Sequence, residues 1–329
     1  MFSVLVTGAN GFIGRHFVSS LMKLKADINV LVRNYDRIIP EWGEKVKIFT
    51  GDINDNKLLE NACRGVEIVL HLASYVHQKP RTEEEIKYIY EVNVKGTKNI
   101  LSSLSTSVQH IIFISTVSVY GREIGESIDE KVQAEPSTPY GHTKLEAEEV
   151  IRGWGKKKQV MTTSLRLPLV YGPGNKGNIY KMIRAIDKGY FVMIGTGENK
   201  RSMVNARNVV DAALEIVNNK DADGKIYLVT DGVDYSVIEL YKTIAKELGR
   251  RISPFYIPMS VAKKIAWFGD IAGGILRKPV PFNSEVLEKL TGTLTFSFDK
   301  IRKEIGFQPK YNLYNTIPET IRWYKSVGS

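Results

Sequence analysis

Residues 3–14 read Ser-Val-Leu-Val-Thr-Gly-Ala-Asn-Gly-Phe-Ile-Gly, a short apolar strand that runs into a glycine turn with a helical pattern directly after it. The spacing Gly-x-x-Gly-x-x-Gly lets the backbone approach a pyrophosphate, and the helix N-terminus offers free N–H groups to the anion. In this context of strand, turn and helix, we predict a dinucleotide-binding turn, with a tight structural turn as the alternative. The predicted cofactor contacts in the turn are Gly8, Asn10, Gly11, Phe12, Ile13 and Gly14.

Outside this stretch, the first half of the chain alternates apolar segments with helical ones. Strands are predicted at 3–6, 29–32, 47–49, 68–72, 110–115 and 163–167, and helices at 14–24, 56–63, 86–103 and 140–153. This alternation predicts an α/β fold, a Rossmann-like doubly wound parallel sheet followed by a smaller, mainly helical C-terminal substrate lobe. A later helix at 209–217 and strand at 226–229 are expected to rejoin the sheet. The predicted domains are 1–169 with 209–231 for the sheet, and 170–208 with 232–329 for the lobe.

Charge and cysteine content limit the possible partners and compartment. The 46 Lys and Arg residues against 36 Asp and Glu give a net charge of +10, which admits nucleic acid, membrane surfaces or phosphorylated small molecules. No basic stripe interleaved with aromatic residues is present, so nucleic acid is not expected as a partner. The single Cys63 excludes an internal disulfide and a cysteine-based zinc cluster, and no metal site is predicted. Because residues 1–8 indicate a strand rather than a signal peptide, we predict a cytoplasmic protein.

The most apolar segment of the chain, residues 261–276, is interrupted by two lysines, Asp270 and a glycine pair. It therefore predicts neither a spanning helix nor membrane insertion. Trp267, Phe268, Ile271 and Ile275 recur there at helical spacing. This spacing predicts packing against the core, and contact with a membrane is the alternative.

The residues that follow the second and third strands bear on cofactor choice. Arg33 follows the second strand, and no acid stands there to bind the ribose hydroxyls of NAD. A base at this position accommodates the extra phosphate of NADP, so the sequence favours NADP(H) over NAD(H), with a solvated arginine as the alternative. After the third strand, Asp52 is expected either to accept from the adenine amino group or to cap the next helix. Ile53 is expected on the same side of the cofactor.

Tyr140 and Lys144 are four residues apart and lie on one face of a predicted helix. The charge of Lys144 can lower the pKa of the Tyr140 phenol, which is otherwise near 10 and unsuited to proton transfer at neutral pH. Thr116 follows a predicted strand and can bind the substrate oxygen whose proton Tyr140 moves. Together these residues predict an acid–base site beside the glycine turn.

In order and spacing, the motifs resemble the extended short-chain dehydrogenases/reductases, the group of nucleotide-sugar epimerases, dehydratases and reductases. The matching segments are 7–14, 51–53, 71–73, 93–97, 115–121, 140–144 and 166–173, which span about residues 1–230, with a weaker match beyond. The resemblance implies a homodimer formed through the helices at 86–103 and 140–153. It also implies that Thr116 takes the Ser/Thr role, Tyr140 is the acid/base and Lys144 binds the nicotinamide ribose. Further residues implied near the site are Asn93, Leu72, Ala73, Ser74 and Pro168.

Two departures from the family pattern bear on the reaction. Val117 and Ser118 stand where dehydratases carry an Asp-Glu pair, so 4,6-dehydration is not expected. Leu169 stands where nucleotide-sugar epimerases carry Asn, and residues 166–174 look more like bacterial reductases of 4-keto-hexose nucleotide sugars. The resemblance therefore implies a 4-keto sugar nucleotide reductase of surface-polysaccharide biosynthesis that acts at C4. The alternatives are a nucleotide-sugar 4-epimerase with tightly bound NAD and a hydroxysteroid-like dehydrogenase. A non-catalytic dinucleotide sensor is not expected, because the Tyr/Lys pair is kept.

The resemblance also implies substrate contacts in the lobe. The family's counterpart of Arg201 binds the substrate diphosphate, for which a planar guanidinium is well suited. Arg207 is expected either to add a second contact to the diphosphate or to be a surface substitution without a role in binding. Ser118 and Asn178 complete the predicted contacts to the nucleotide sugar.

Overall fold

The protein is described here by a computed structural model covering residues 2–34, 39–76, 80, 82–276 and 280–327. The described residues form fourteen strands: β1 (Ser3–Thr7), β2 (Asp27–Val32), β3 (Val46–Thr50), β4 (Ile68–His71), β5 (His110–Thr116), β6 (Gly125–Ile128), β7 (Met161–Leu167), β8 (Leu169–Tyr171), β9 (Met193–Ile194), β10 (Lys200–Asn205), β11 (Lys225–Leu228), β12 (Asp234–Ser236), β13 (Tyr256–Ile257) and β14 (Leu294–Phe296).

The same residues form twelve α-helices: α1 (Phe12–Lys23), α2 (Asn56–Ala62), α3 (Glu83–Tyr90), α4 (Gly96–Ser103), α5 (Pro139–Lys158), α6 (Asn178–Asp187), α7 (Ala206–Ile216), α8 (Val237–Leu248), α9 (Met259–Leu276), α10 (Ser284–Thr291), α11 (Asp299–Ile305) and α12 (Leu313–Val327). A π-helical segment, Glu91–Lys95, joins α3 to α4, so that the three form one continuous helical rod.

Seven strands form the main sheet, in the order β11-β7-β5-β4-β1-β2-β3, and every pair in it is parallel. The chain moves outward from β1 to β3 and then returns to place β4 on the other side of β1. This reversal opens a crevice at the carboxyl ends of β1 and β4, where open α/β sheets bind their ligands. Separate apolar clusters cover the two faces of the sheet. The predicted doubly wound α/β fold is confirmed, including the return of α7 and β11 to the sheet.

A second, smaller sheet was missing from the sequence prediction. It has the order β12-β10-β14-β6, and β8 also pairs with β10. Its strands are three to six residues long and come from distant parts of the chain, so no local period marks them. The lobe has an apolar cluster of its own, built around α6, α8 and α12. The predicted helical lobe is therefore present, with a sheet added, and its exact domain boundaries stay a prediction.

The prediction that the aromatic residues of α9 pack against the core is wrong. Trp267 is 56% exposed and Phe268 is 63% exposed, whereas Ala262 and Ala266 are the buried residues of this helix. The helical spacing was read correctly, but the face that carries the small residues is the one that packs. No helix in the described part of the chain is both long enough and apolar enough to cross a bilayer.

Candidate active site

The turn between β1 and α1 has a backbone that only glycine permits. Gly8 has a positive φ of 68°, and a Cβ on Gly14 would lie 2.4 Å from the Gly8 carbonyl oxygen. The Gly11 amide donates to that same oxygen at 2.9 Å and closes the turn. The first turn of α1 is therefore pressed against the end of β1, with its N-terminus directed to the crevice.

Two adjoining cavities lie along the crevice and share Gly8, Gly11, Leu72 and Ser74 in their walls. One, of about 280 Å³, contains Tyr140 and is called the Tyr140 cavity; the other, of about 240 Å³, contains Arg33 and is called the Arg33 cavity. Every residue predicted to contact the cofactor lines one or both of them: Gly8, Asn10, Gly11, Phe12, Ile13, Gly14, Arg33, Asp52, Ile53, Leu72, Ala73, Ser74, Tyr140, Lys144 and Pro168.

The N-terminal turns of α5 hold Tyr140 and Lys144 in the Tyr140 cavity. Thr138 caps the helix, its hydroxyl accepting from the Gly141 amide at 3.1 Å, and Pro139 occupies the first turn. Lys144 is buried, and its Nζ donates to the Ile114 carbonyl oxygen at 2.6 Å. The same ammonium lies 3.8 Å from the centroid of a buried phenylalanine ring on β5, which adds a cation–π contact.

Burial moves the pKa values of the pair in opposite directions. It raises the pKa of Tyr140 to about 12, which a hydrogen bond with the Ser74 side chain opposes. It lowers the pKa of Lys144 to about 7, which the charge of Glu148 opposes. Tyr140 therefore carries its proton at neutral pH, and the charge of Lys144 changes near neutrality.

Thr116 is the last residue of β5 and lies in the wall of the Tyr140 cavity, and its catalytic role stays a prediction. Its hydroxyl accepts from the Ser118 amide and donates to the Ser118 hydroxyl, both at 3.2 Å, which places Ser118 beside the predicted catalytic threonine. The neighbouring Ser115 also lines the cavity, and its buried hydroxyl has no hydrogen-bond partner among the described residues. A polar atom of this kind is available to a bound ligand.

Asn93 lies in the π-helical segment, with its side-chain amide among residues next to the site. Its side-chain oxygen accepts from the Tyr75 amide at 2.7 Å and from the Ser74 hydroxyl at 3.1 Å. Its Nδ2 donates to the Thr143 hydroxyl at 3.0 Å, which links the rod to α5. Asn93 therefore connects the loop after β4 to the helix that carries Tyr140, and acts through these neighbours.

Sequence reasoning missed a buried hydrogen-bond chain behind the glycine turn. The Thr7 hydroxyl and His71 Nδ1 are 2.7 Å apart, and His71 Nε2 and the Thr97 hydroxyl are 2.8 Å apart. The Thr97 hydroxyl donates to the Asn93 carbonyl oxygen, so the proton of the imidazole belongs on Nε2. Burial lowers the pKa of His71 to about 3, which keeps the ring neutral. His71 is buried, and its polar partners are visible only in three dimensions.

The Arg33 cavity contains the residues predicted to select the cofactor. Arg33 is exposed and its Nη1 donates to the Tyr88 hydroxyl at 3.0 Å. Asp52 accepts from the amide and side chain of Asn54 at 2.8 and 2.9 Å. The suggestion that Asp52 caps the next helix is wrong, because the residue that caps α2 is Asp55. Asp52 lies in the wall of the Arg33 cavity, which is consistent with the alternative prediction that it accepts a hydrogen bond from the adenine amino group.

The predicted substrate residues of the lobe lie outside the walls of both cavities. Arg201, on β10, donates through Nη1 and Nη2 to the carbonyl oxygens of Glu123 and Lys289. Arg207 is ion-paired with Glu319. Asn178 begins α6, the first helix of the lobe. The roles of Ser118, Asn178, Arg201 and Arg207 in substrate binding stay predictions.

A buried ion pair joins α5 to the main sheet. Arg166 of β7 donates through Nε and Nη2 to the two carboxylate oxygens of Glu148, at 3.1 and 2.7 Å. Glu148 is one helical turn beyond Lys144, so this two-point contact holds the catalytic helix against the sheet. Arg166 belongs to a segment quoted for the family resemblance, but the identity of its partner required the tertiary structure.

A phosphate-binding turn, a buried Tyr–Lys pair and a threonine hydroxyl meet at the carboxyl edge of one parallel sheet. This combination defines a class of enzymes that bind a nicotinamide dinucleotide and use a tyrosine as acid and base in hydride transfer. A match to the family model described as NAD dependent epimerase/dehydratase family spans residues 4–230. The chain belongs to this family, and it is an NAD-dependent enzyme.

Full-length relatives and solved structures agree with this membership. The chain is 29% identical over 324 residues to an N-acetyl-α-D-glucosaminyl-diphospho-ditrans,octacis-undecaprenol 4-epimerase of Escherichia coli O157:H7, which covers 98% of this chain and 95% of that protein. It is also 29% identical over 332 residues to a UDP-glucose 4-epimerase of Vibrio cholerae, at 99% and 97% coverage. A UDP-glucuronic acid 4-epimerase of Bacillus cereus, solved with UDP-glucuronic acid and NAD, has the same fold. It aligns with a TM-score of 0.78 and 20% identity over 99% of this chain and 100% of that one.

Proposed function

We propose that the protein is a hexose 4-epimerase that acts on a sugar carried by a diphosphate and keeps NAD bound between turnovers. The observation that carries the proposal is the composition of the Tyr140 cavity. Thr116, Tyr140 and Lys144 line it, and no carboxylate is among its described lining residues. Such a site can move a proton and a hydride at one carbon, but it offers no second acid or base for eliminating water.

The residues at the crevice fit a dinucleotide. A Cβ on Gly8 or Gly14 would clash with neighbouring backbone, so the turn stays free of side chains, and Gly8 lies in the walls of both cavities. The unpartnered Ser115 hydroxyl supplies a polar contact on one side. NAD held along this crevice would supply hydride exchange at C4 of the sugar.

The protein's own residues handle the proton. Once ionised, the Tyr140 phenolate would accept the C4 hydroxyl proton as the C4–H bond breaks and the C4=O bond forms, and it would return the proton to the same oxygen when the C4–H bond re-forms on the opposite face. The Thr116 hydroxyl hydrogen-bonds that oxygen throughout. Because burial raises the pKa of Tyr140 to about 12, the phenol needs a nearby positive charge to act as a base. Protonated Lys144, one helical turn away, acts in that direction.

Two kinds of diphosphate carrier are compatible with this proposal. One relative of similar identity is named for a polyprenol-linked sugar and the other for UDP-glucose. The crevice chemistry is common to both, because the reacting atom is C4 and the diphosphate lies at the other end of the sugar. The carrier therefore depends on the lobe rather than on Tyr140.

A second candidate is the 4-keto sugar reductase, and Arg33 is the observation that favours it. The guanidinium lies in the wall of the Arg33 cavity, where the extra phosphate of NADPH would be bound. The NADP(H) preference rests on this residue alone, and the nicotinamide cofactor named for the similar solved structures is NAD.

One experiment separates the candidates. The purified protein is denatured and the released NAD is measured, and turnover is followed with sugar deuterated at C4. Epimerisation with about one NAD released per chain, no added cofactor and deuterium kept on C4 is the expected result. Stoichiometric NADPH oxidation with a 4-keto sugar, and no epimerisation of any diphosphate-linked hexose, would overturn the epimerase proposal in favour of the reductase.

A further inference from the structure

The helix α9 presents its large apolar side chains to solvent and its small ones to the protein. Its exposed apolar residues, called here the α9 apolar face, are Val261, Ile265, Trp267, Phe268, Ile271, Ile275 and Leu276. A surface helix of a globular protein ordinarily has the opposite arrangement, with the apolar stripe turned to the core. Exposed apolar side chains grouped in this way, with Lys264 among them, mark an interaction site.

The rotation of α9 about its axis is fixed by close packing. Ala262 and Ala266 pack with Leu287 of α10 in a small buried cluster. Gly269 lies so close to the carbonyl of Phe282 that a Cβ there would be 2.0 Å from its oxygen. The helix therefore cannot turn its aromatic residues inward without losing these contacts. The packing of α9 thus keeps its apolar face exposed.

The charge of the surface indicates what covers this face. Lys263 and Lys264 are exposed on α9, and the single acidic residue of the helix, Asp270, accepts from the amide and hydroxyl of Ser284. The whole chain carries a net charge of +10. Exposed Trp and Phe beside lysines, on a helix interrupted by charges, are suited to the boundary between acyl chains and anionic headgroups.

The α9–α10 unit is attached to the part of the lobe predicted to bind the substrate diphosphate. The strand before α9, β13, pairs with β9, and the Gly195 amide at the end of β9 donates to the Ile257 carbonyl at 2.9 Å. The carbonyl of Lys289, near the end of α10, accepts from Arg201. Both ends of the α9–α10 unit are thus attached to the loop and strand that carry Arg201.

We propose that α9 docks this protein on an anionic phospholipid bilayer, lying in the interface with the α9 apolar face inserted and the lysines at the headgroups. If the proposed epimerase function holds, on which this second point rests, docking brings the diphosphate end of the site to the membrane, and the sugar carrier is a polyprenyl diphosphate. The lipid chain then stays in the bilayer while the hexose enters the Tyr140 cavity.

Docking is tested by co-sedimentation of the full chain with vesicles of phosphatidylethanolamine and phosphatidylglycerol, compared with phosphatidylcholine vesicles. We expect binding to the anionic vesicles, weakened by high salt, and at least ~10-fold less binding for Trp267→Glu/Phe268→Glu. Leu24→Glu, at a residue 56% exposed at the end of α1, is the matched control and keeps binding. Thermal unfolding and conversion of the sugar in detergent solution check that the double variant is folded.

Several outcomes would overturn the docking proposal. These are equal binding by the double variant, equal binding to both kinds of vesicle, or a lipid-free dimer that the double variant converts to monomer, since a second copy would then cover the face. Sedimentation needs no substrate, so failure of the epimerase proposal leaves its result intact. The carrier is tested separately with N-acetylglucosaminyl-diphospho-undecaprenol. We expect the double variant to be at least ~10-fold slower on vesicles and unchanged in detergent, and equal rates on vesicles would refute that carrier.

Discussion

Tyr140 is the residue on which the proposed proton transfer depends. Replacing Tyr140 by Phe removes the hydroxyl and keeps the ring, so we expect kcat to fall by about 10²- to 10⁴-fold, the usual contribution of a general acid–base group. The ring still fills the cavity wall, so bound NAD should be retained. Initial rates and NAD content of the purified variant measure both effects. Unchanged turnover would refute the proposed mechanism, and a loss of NAD along with the rate would mean that the variant had damaged the cofactor site.

Lys144 makes the stability of the protein depend on pH. Its pKa falls from 10.5 to about 7 on folding, so the unfolded chain binds more protons than the folded one between these values. The free energy of unfolding therefore rises as the pH increases from about 7 towards 10.5. Glu148 and neutral His71 are the titratable groups acting on this ammonium, and neither reverses the direction.

Lys144→Met should remove that rise and stabilise the protein below pH 7, because an uncharged chain replaces a buried ammonium. The Tm should increase by roughly 2–4 °C for each kcal/mol gained in a chain of this size. Calorimetry from pH 6 to 10 measures the Tm of the variant and of the wild type. Lys157→Met, at an exposed position of α5, is the control and should keep the wild-type dependence of stability on pH. If the stability of the Lys144→Met protein still rose with pH as in the wild type, the lowered pKa of Lys144 would not be the cause of that rise.

At the scale of single elements, α1 owes its position to Gly14. A methyl group on Gly14 would lie 2.4 Å from the Gly8 carbonyl and 2.7 Å from the Ala9 Cα, so Gly14→Ala has to displace the helix from the turn. We expect loss of bound NAD and a loss of stability of about 1–3 kcal/mol from overpacking. Cofactor content and urea denaturation are the measurements.

Gly153 of α5 provides the matched control for this change. A Cβ there meets no atom within 4 Å, so Gly153→Ala should keep NAD and stabilise the helix by about 0.5–1 kcal/mol. If both alanine variants kept NAD equally well, the close approach of α1 to the turn would not be what forms the cofactor site.

The rod formed by α3, the π-helical segment and α4 shows what an element-level pattern can miss. The sequence predicts one helix at 86–103, and the structure has helical backbone from Glu83 to Ser103. The apolar spacing does not reveal the π turn, because an i→i+5 hydrogen bond changes the backbone over only a few residues. Asn93 lies within this turn. The family resemblance placed Asn93 near the site, and the structure adds the contacts through which it acts.

At the scale of the whole molecule, a buried carboxylate joins the sheet domain to the lobe. Asp231 accepts from the hydroxyls of Tyr171 and Tyr235, from the Asn205 amide and from Asn208 Nδ2, at 2.7 to 3.0 Å. These donors come from β8, β10, α7 and β12. Burial raises the pKa of Asp231 to about 6 despite the four hydrogen bonds.

Asp231→Ala should lower the free energy of unfolding by roughly 3 kcal/mol or more, because several buried donors lose their acceptor at once. Chemical denaturation measures the loss. Asp211→Ala, at a solvent-accessible ion pair with Lys310 on α7, is the control and should change stability by less than about 1 kcal/mol. If Asp231→Ala and Asp211→Ala lowered the free energy of unfolding equally, the hydrogen bonds of Asp231 would not be what joins the sheet domain to the lobe.

The raised pKa of Asp231 also makes the stability of the protein depend on pH. The folded pKa of Asp231 is higher than its ordinary value of 3.8, so the folded state holds an extra proton between pH 3.8 and about 6. Its contribution to stability is therefore fully present below pH 3.8 and is lost as the pH rises through about 6, opposite in direction to that of Lys144. The expected homodimer and the cytoplasmic location stay predictions at this scale.

The sequence by itself determined the sheet domain and the chemistry of its crevice. Apolar runs, helices of period 3.6 and the glycine turn are local patterns, so β1 to β5 and the adjoining helices could be identified from neighbouring residues. The fifteen residues predicted to contact the cofactor, some of them from the family resemblance, line the two cavities, and their contacts stay predictions. Parallel strands end at one edge, which is why motifs far apart in the chain converge on one site.

Only the tertiary structure decided how the rest of the chain is joined to that domain. The second sheet, the pair formed by Arg166 and Glu148 and the hydrogen bonds of Asp231 link residues from distant segments, and no local period reports such partners. The same holds for α9, whose spacing predicts a helix but does not say which of its faces packs. Its small residues met α10, and its aromatic residues were left to the solvent, because burial depends on what lies opposite a residue in space.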